Sequence, residues 1–290
     1  MEESELRMEL GRLFHGIELG ASLGGSSGGR LVVRASYKGM DVIAKLHPQT
    51  NTAGQEVKAL KAAKGLLGGV GLRVPMLIGT ADRGILLEFI EGRTPNLAGD
   101  DHHLRLCVEY LAGMARIGIP RNMTSHYHGA GLRQRLEHER VVFETAASRF
   151  HELSDLRADF EDIVVAAAAA VDSDPEGVMA HGDFQPQNLL VTASGELVPV
   201  DWSDFGRAHR GYEIANLLLR LNPERMRSAF LWYGNALDRV VPAECLAEGL
   251  AIARVIRAGG VLRQLLSGTG CNENSIAIAR RILLRKQHQK

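Results

Sequence analysis

The sequence predicts an α+β fold with two lobes, a small β-rich lobe over residues 1–92 and a large, mostly helical lobe over residues 93–290. Short runs of aliphatic and β-branched residues alternate with turns in the first part of the chain, which is typical of strands. Beyond this part, apolar residues recur at helical spacing almost to the C-terminus. Gly92 and Pro95 interrupt regular structure between the two patterns and therefore mark the boundary.

The small lobe is predicted to open with a helix over residues 4–14, where leucines lie near one face. A second helix is predicted over residues 55–67 from the same kind of spacing. The turns between neighbouring strands contain Gly39 and Gly84. The strands themselves are predicted over residues 31–36, 42–46, 77–79 and 85–89.

The large lobe is predicted to be helical over residues 101–171, apart from a polar stretch at residues 120–131, and again from residue 212 to the end. A short β-rich island over residues 178–201 separates these helical regions. The predicted large lobe is therefore a set of helices in which a β-hairpin is embedded.

Composition excludes several classes of protein. Lys plus Arg and Asp plus Glu both number 34, and aromatic residues make up 5%, whereas proteins that bind nucleic acid usually show a basic excess and stacking aromatics. The three cysteines form no C-x-x-C pair, so neither a disulfide framework nor a thiolate zinc site is indicated. No apolar run is long enough to cross a bilayer, and the acidic N-terminus lacks a signal core. We therefore expect a cytoplasmic monomer or homodimer with no nucleic-acid or membrane partner.

The most informative motif is H-G-D-F-Q-P-Q-N at residues 181–188, followed by V-D-W at residues 200–202. Phosphoryl transfer needs a carboxylate near the attacking hydroxyl and oxygen ligands for Mg²⁺. Asp183 and Asn188 lie on one loop, and a hairpin that returns to Asp201 can bring the three side chains around one cavity. Oxygen ligands of this kind suit a hard cation. Asp and Asn also cap turns in ordinary loops, and that alternative stays open.

With these two elements the sequence resembles the aminoglycoside phosphotransferase and choline kinase superfamily, whose fold is similar to that of protein kinases. The shared pattern is H-G-D-x-x-x-x-N followed by a hydrophobic residue, Asp and Trp or Phe, and both parts are intact here. The resemblance implies that Asp183 is the catalytic base or orients the acceptor hydroxyl. It further implies that Asn188 and Asp201 hold Mg²⁺ and that His181 braces the loop.

The small lobe supplies independent support for this interpretation. Lys45 ends a predicted strand and Glu56 follows on a predicted helix. This is the arrangement of a lysine that contacts the α and β phosphates of a nucleotide and is held by a helix glutamate. Lysines and glutamates are also common on solvated surfaces, so that alternative stays open for both residues.

A glycine cluster that includes Gly24, Gly25, Ser26, Ser27 and Gly28 lies between strand-like segments. It predicts a loop that covers nucleotide phosphates with backbone N–H groups. The cluster is not a Walker P-loop, because no Gly-Lys-Ser/Thr follows it. A strand follows where a nucleophile elbow would need a helix, so its G-x-S-x-G spacing does not indicate a hydrolase. A flexible linker is the remaining alternative.

Residues 85–92 resemble the interlobe segment of the same superfamily. By that resemblance, backbone groups of Glu88 and Ile90 would bond the adenine edge, and Leu87 would lie behind the base. An ordinary strand end is the alternative. The resemblance covers about residues 16–222 and includes Glu213, the acidic residue of an element whose role in the family is structural.

The sequence thus predicts a kinase that transfers the γ-phosphoryl group of ATP or GTP to a hydroxyl of a small molecule, with Asp183, Lys45 and His181 at its catalytic centre and Mg²⁺ as cofactor. Family frequency ranks an aminoglycoside or other antibiotic-type acceptor first, ahead of choline, ethanolamine, a sugar or a nucleoside. Two alternatives come from other classes. One is a pseudokinase-like nucleotide-binding module, and the other is a metal-dependent hydrolase, which would work without nucleotide.

Two charged sets in the large lobe are candidate walls of the acceptor site. A cationic acceptor would need an acidic cleft, and an anionic acceptor would need a basic one; charged helix faces that only contact water are the alternative to both. The acidic set comprises Glu137, Glu139, Glu144, Glu152, Asp155, Asp159, Glu161 and Asp162. The basic set comprises Arg254, Arg257, Arg263, Arg280, Arg281, Arg285 and Lys286.

Overall fold

A computed structural model of the chain describes residues 2–24, 30–120, 123, 127–238, 241–268 and 272–284. The chain divides into two compact units. The first unit contains Met1–Pro95 together with Pro186–Phe205, and the second contains Asn96–Gln185 together with Gly206–Lys290. The sequence predicts one boundary, at residue 92, whereas packing also assigns the later segment Pro186–Phe205 to the first unit.

Helices and strands alternate in the N-terminal part of the chain, and helices predominate after it. The elements up to residue 88 are α1 (Glu3–Leu13), β1 (Ile17–Gly24), β2 (Leu31–Tyr37), β3 (Met40–Leu46), α2 (Thr50–Leu67), β4 (Leu77–Ala81) and β5 (Gly84–Glu88). Those that follow are α3 (Asp101–Ala115), α4 (Gly129–Arg149), α5 (Arg157–Ala169), β6 (Val178–Ala180), β7 (Leu189–Val191), β8 (Leu197–Pro199), β9 (Gly206–Ala208), α6 (Tyr212–Leu218), α7 (Pro223–Leu237), α8 (Ala243–Leu266) and α9 (Asn272–Leu284).

The first unit is built on an antiparallel sheet with the strand order β1-β2-β3-β5-β4. Alternate residues of β2, such as Leu31 and Val33, point into its core, as the period of two in a strand requires. They pack in one apolar cluster with Leu6 and Leu10 of α1. The hairpin of β7 and β8 also belongs to this unit, and its residue Val191 exchanges two backbone hydrogen bonds with Arg93, at 3.0 and 2.8 Å.

The second unit is mostly helical and contains a large apolar core. The core takes apolar side chains from α4, α5, α6, α8 and α9, and it includes the stacked rings of Phe143 and Phe160, whose centroids are 4.0 Å apart. Strands β6 and β9 pair antiparallel in this unit. None of the helices in the described part of the chain, including the 24-residue α8, is both long and apolar enough to span a membrane.

These elements confirm the predicted α+β fold, with strands concentrated in a small N-terminal part and helices in a large remainder. Two local differences have physical reasons. Helix α2 begins at Thr50, whereas the predicted start is residue 55. The sequence does not indicate the first turn because that turn is polar and has no apolar periodicity. Strand β9, of sequence Gly-Arg-Ala, lies outside the predicted β-rich island, because its extended form depends on pairing with β6 and not on its own residues.

Gly249 provides a test of the packing between α6 and α8. A Cβ atom at this position would overlap the backbone of Gly211, the residue that precedes α6. We expect Gly249→Ala to lower the free energy of unfolding by about 1–3 kcal/mol, because backbone cannot yield as a side chain can. The melting temperature measured by calorimetry or circular dichroism would show the loss.

Gly260→Ala is the matched control, since it lies on the same helix and its added Cβ would meet nothing closer than 3.8 Å. There the gain in helix propensity should stabilise the protein by about 0.5–1 kcal/mol. Equal melting temperatures for the two variants would contradict the close approach of α6 and α8.

Candidate functional site

A buried ion pair joins the sheet to α2 in the first unit. The Nζ atom of Lys45, on β3, lies 2.6 Å from Oε1 of Glu56, on α2. Lys45 is 5% exposed and Glu56 is 1% exposed, so neither is on a solvated surface. Removing one partner of such a pair leaves an uncompensated charge in the interior, which costs about 3–5 kcal/mol. Each residue therefore holds the other in place.

A histidine that no sequence motif marks lies against the other carboxylate oxygen of Glu56. The Nε2 atom of His47, which is also buried, lies 3.0 Å from Oε2 of Glu56. Burial alone would raise the pKa of Glu56, but the contact with His47 and the charge of Lys45 hold that pKa below its ordinary value. The carboxylate is thus kept ionised against its buried surroundings.

Asp201 receives two cationic side chains, one on each carboxylate oxygen. Its Oδ1 lies 3.2 Å from Nζ of Lys45, and its Oδ2 lies 2.9 Å from Nη2 of Arg30. Burial would raise the pKa of Asp201, but the charges of Lys45 and Arg30 hold it well below the ordinary value. The backbone of Asp201 is left-handed, with φ 65°. That conformation is uncommon for a residue other than glycine, and aspartate adopts it more readily than most.

The hairpin of β7 and β8 sets the relation between Asn188 and Asp201. Leu189 pairs with Pro199, and the N–H of Val200 donates to the carbonyl oxygen of Asn188 at 2.8 Å. Asn188 and Asp201 therefore flank the same end of the hairpin. The indole of Trp202 is buried and donates to the carbonyl of Pro199 at 2.9 Å, which anchors the turn of chain beyond the hairpin.

A cavity of about 630 Å³ opens in the first unit beside these residues. Its size is that of a site for a nucleotide-sized molecule. Six of the residues predicted from the sequence line it: Lys45, Leu87, Glu88, Ile90, Asn188 and Asp201. The rest of the lining is Leu23, Arg30, Val32, Ile43, Pro75, Phe89, Glu91, Gly92, Gln187, Leu190 and Val200.

The remaining predicted residues of the nucleotide site have different positions. Glu56 does not line the cavity but contacts Lys45 from the interior. Gly24 is the last residue of β1, next to Leu23 in the cavity wall. The rest of the predicted glycine loop, comprising Gly25, Ser26, Ser27 and Gly28, lies outside the described residues.

The segment after β5 forms one wall of the cavity. The N–H of Glu88 donates to the carbonyl of Met76 at 2.9 Å, and its side chain accepts a bond of 2.7 Å from Arg73. Ile90 makes no backbone hydrogen bond with another of the described residues. Glu88 and Ile90 are the two residues predicted to bond the adenine edge. The backbone N–H of Glu88 is already bonded to Met76, whereas the backbone N–H of Ile90 is available to a ligand.

In the second unit, Asp183 lies in a chain of hydrogen bonds. Nε2 of Gln185 donates to Oδ2 of Asp183 at 2.9 Å, and Oε1 of Gln185 accepts a bond of 2.8 Å from Arg220. Because an amide has one donor end and one acceptor end, Arg220 fixes which end of Gln185 faces the carboxylate. The arrangement orients the Asp183 side chain, and sequence spacing does not reveal Arg220.

The loop that carries His181 and Asp183 is tied to α6 by a buried glutamate. The carboxylate of Glu213 accepts the N–H of His181 at 2.7 Å and that of Gly182 at 2.9 Å. Burial raises the pKa of Glu213 to about 7, against the effect of these bonds. His181 is fully buried, and its Nδ1 accepts the N–H of Asp183 at 3.4 Å. Glu213, for which the resemblance implies a structural role, thus binds the backbone of this loop.

Several residues of the two charged sets form ion pairs with each other or with neighbouring side chains of the second unit. Glu139 is 0% exposed and is paired with Arg135, at 2.6 Å, and with Arg263. Arg254 is buried and donates to backbone carbonyls near the end of α9. Glu139, Arg254 and Arg263 therefore do not form acceptor walls of either sign. Other members are bonded at the surface: Glu137 and Glu161 to Arg140, Glu144 to Arg157, and Asp155 to Arg280. Arg285 and Lys286 lie outside the described residues.

The sequence model of the phosphotransferase enzyme family, APH, matches residues 24–253, which include both the Lys45 pair and the loop of Asp183. The chain belongs to this family. The match confirms the resemblance found in the sequence. None of the curated proteins compared with the chain matches it significantly.

Solved structures with the same fold include several kinases of small molecules. A macrolide 2′-phosphotransferase from Brachybacterium faecium is 14% identical, with a TM-score of 0.62, and the match covers 99% of this chain and 100% of that one. A choline kinase from Streptococcus pneumoniae is 15% identical, with a TM-score of 0.66 and 98% and 99% covered. A ternary complex of streptomycin, ATP and APH(2″)-IIa is 14% identical, with a TM-score of 0.63 and 99% and 97% covered. At these identities the likeness shows the fold, and it confirms the predicted protein-kinase-like class.

Glu213 gives this phosphotransferase family member a stability that depends on pH in a defined direction. The folded pKa of about 7 is above the ordinary value of 4.5, so the folded protein retains a proton that the unfolded chain has already lost. This contribution to stability is complete below about pH 4.5 and is lost as the pH rises through about 7. The difference in unfolding free energy between the wild type and Glu213→Gln should therefore shrink by up to about 3 kcal/mol over this range.

Urea unfolding at a series of pH values would measure this difference, and taking it between two variants cancels the other titrating groups. Glu213→Gln should also be less stable at low pH, since its amide nitrogen would face an N–H donor of the loop. A difference that stays flat or grows between pH 5 and pH 7.5 would contradict the assignment.

Proposed function

We propose that this protein is a kinase that transfers the γ-phosphoryl group of ATP or GTP to a hydroxyl group of a small molecule, with Asp183 as the base that orients that hydroxyl. The observation that carries the proposal is the buried pair of Lys45 and Glu56 at the wall of the 630 Å³ cavity, with Asp201 in contact with the same lysine. Membership of a phosphotransferase enzyme family supports it.

The cation of Lys45 is the group that would contact the nucleotide phosphates. Glu56 fixes its position from the interior, so the ammonium group is already placed before a ligand arrives. Phosphoryl transfer passes through a state in which charge spreads over the phosphoryl oxygens, and catalysis depends mainly on positioning and on charge neutralisation. A preplaced cation serves both needs, because it does not have to reorganise during the reaction.

Asn188 and Asp201 are the residues that would hold Mg²⁺. No group of three or more His, Cys, Asp or Glu side chains suited to a metal ion occurs in the described part of the chain. Mg²⁺ does not require such a group, since it is commonly held by one or two carboxylates together with phosphate oxygens of the substrate. One carboxylate and one amide beside a cavity fit this pattern. Held by Asn188 and Asp201, Mg²⁺ would supply positive charge that offsets the charge developing on the phosphoryl group.

Asp183 would accept the hydrogen bond of the acceptor hydroxyl through its carboxylate and take the proton late in the transfer. The bond from Gln185, itself fixed by Arg220, restrains the rotation of the carboxylate and so supports this role. His181 and Glu213 act on the backbone of the loop and would position Asp183 without touching substrate. The free N–H of Ile90 would bond the base of the nucleotide, with Leu87 against its face.

An antibiotic-type acceptor remains first in the proposal, since two of the proteins with the same fold act on macrolides or bind streptomycin by their names. The burial and pairing of Glu139 remove that residue as an argument for a polycationic acceptor. A screen of aminoglycosides, macrolides, choline, ethanolamine, sugars and nucleosides, coupled to release of ADP or GDP, tests the proposal. Acceptor-dependent release of ADP or GDP supports the proposal. Nucleotide binding without turnover would instead indicate a pseudokinase. Hydrolysis of a test compound without nucleotide would indicate a metal-dependent hydrolase.

Asp183→Asn should reduce turnover by several orders of magnitude while leaving nucleotide affinity close to that of the wild type. The amide keeps the size of the carboxylate but cannot accept the proton of the hydroxyl. Initial rates in the coupled assay and nucleotide binding by calorimetry would measure the two effects. Turnover within a few-fold of the wild type would remove Asp183 from the mechanism.

Asp201→Ala should abolish the Mg²⁺ dependence of nucleotide binding, because the metal loses its only charged protein ligand in the proposed site. Asn188→Ala should weaken the dependence less, since it removes a neutral ligand. Titration of nucleotide with and without Mg²⁺ compares the variants. An unchanged Mg²⁺ dependence in Asp201→Ala would refute the metal assignment even if turnover fell.

A further inference from the structure

Arg30 is a cation of the cavity wall to which sequence analysis gives no role. It directly precedes β2, and its guanidinium lies 2.9 Å from Oδ2 of Asp201. Its side chain is 41% exposed, in contrast to that of Lys45, which is 7% exposed and fixed by Glu56. One of the two cations on Asp201 is therefore held in the interior by Glu56, and the other is partly exposed and lines the cavity.

Among the ion pairs of the described residues, the charged side chains around Asp201 balance in number. Two cationic and two anionic side chains form this group: Arg30, Lys45, Glu56 and Asp201. A divalent cation added at Asp201 alone would meet two positive side chains within a few ångströms, which is unfavourable in a partly buried site. A nucleotide adds the negative charge that restores the balance, and its phosphates offer Arg30 and Lys45 new partners.

We propose that Arg30 is a phosphate-binding residue of the nucleotide site that is held on Asp201 until the nucleotide and its metal arrive. Arg30 then exchanges the carboxylate for phosphate oxygens, which frees Oδ2 of Asp201 for the metal. A guanidinium suits this exchange, because its planar donors bind carboxylate and phosphate with the same paired geometry. This inference rests on the proposed function and adds to it an ordered coupling between nucleotide and metal.

The pair of Arg30 and Asp201 has little weight as a purely structural contact. An ion pair with one partner partly exposed to solvent usually contributes little to stability. Replacing Arg30 should therefore leave the fold intact, and the melting temperature of the variant should stay near that of the wild type. Any large change in ligand binding then reports on the site and not on folding.

Calorimetric titration of the full-length protein tests the exchange with two kinds of ligand. One is MgCl₂ alone, and the other is a non-hydrolysable ATP or GTP analogue with Mg²⁺. We expect Arg30→Ala to bind the Mg²⁺–nucleotide analogue about 10–100-fold more weakly, since a charge-assisted bond to phosphate is lost. The same variant should bind Mg²⁺ alone several-fold more tightly, since Asp201 has lost a competing cation.

Two further variants separate the causes. Arg30→Lys keeps the charge but loses the paired donors, so its analogue affinity should lie between those of the wild type and Arg30→Ala. Arg7→Ala removes an arginine of the same unit that is paired with Glu3 at 2.8 Å and does not line the cavity, and it should change neither titration.

Opposite changes in the two affinities are the signature of the exchange. Unchanged affinities in Arg30→Ala, or a fall in both together with a lower melting temperature, would overturn it. If the wild type itself bound no Mg²⁺–nucleotide analogue, the proposed function would fail and the exchange with it. If the wild type bound the analogue and Arg30→Ala bound it equally well, only the role of Arg30 would be wrong.

Discussion

The first unit depends on the buried ion pair between Lys45 of β3 and Glu56 of α2. Lys45 and Glu56 are almost fully buried, and each would be costly without the other, so strand β3 and helix α2 must keep their relative position. The consequence reaches the hairpin of β7 and β8, because Lys45 also contacts Asp201 at its end. A sheet, a helix and a distant hairpin are thus held around one ammonium group, and the cavity wall follows from that constraint.

Sequence spacing predicts the parts of the site that lie close together in the chain or follow a fixed pattern. The loop of Asp183 and Asn188 and the return to Asp201 are of this kind, since hairpin register determines which residues share an end. Lys45 is recognisable because a charged residue ends an otherwise aliphatic strand. Arg220 is not recognisable, because its partner Gln185 lies 35 residues earlier in the chain. His47 is not recognisable either, because no motif marks it as a partner of Glu56.

The charged helix faces are a second case in which sequence does not reveal the role of a residue. A run of acidic residues on a helix has the same appearance in sequence whether it faces water, a ligand or a buried arginine. Glu139 is of the last kind, since α4 places it against Arg263 of α8 in the helical core. Its conversion from a candidate binding residue to a structural one follows from the packing of two helices separated by more than ninety residues, which no local pattern encodes.

The assignment of Pro186–Phe205 to the first unit affects how the protein is made. While the chain is being synthesised, Met1–Pro95 emerges first, but it lacks the hairpin and Asp201. All of Asn96–Gln185 must then be produced, which takes roughly 5–20 s at ordinary rates of translation. During that interval Lys45 and Arg30 have no carboxylate from the hairpin, and the N-terminal unit is incomplete on the ribosome. Folding of the first unit is therefore tied to synthesis of the second, and the contact between Lys45 and Asp201 cannot form before the hairpin has left the exit tunnel.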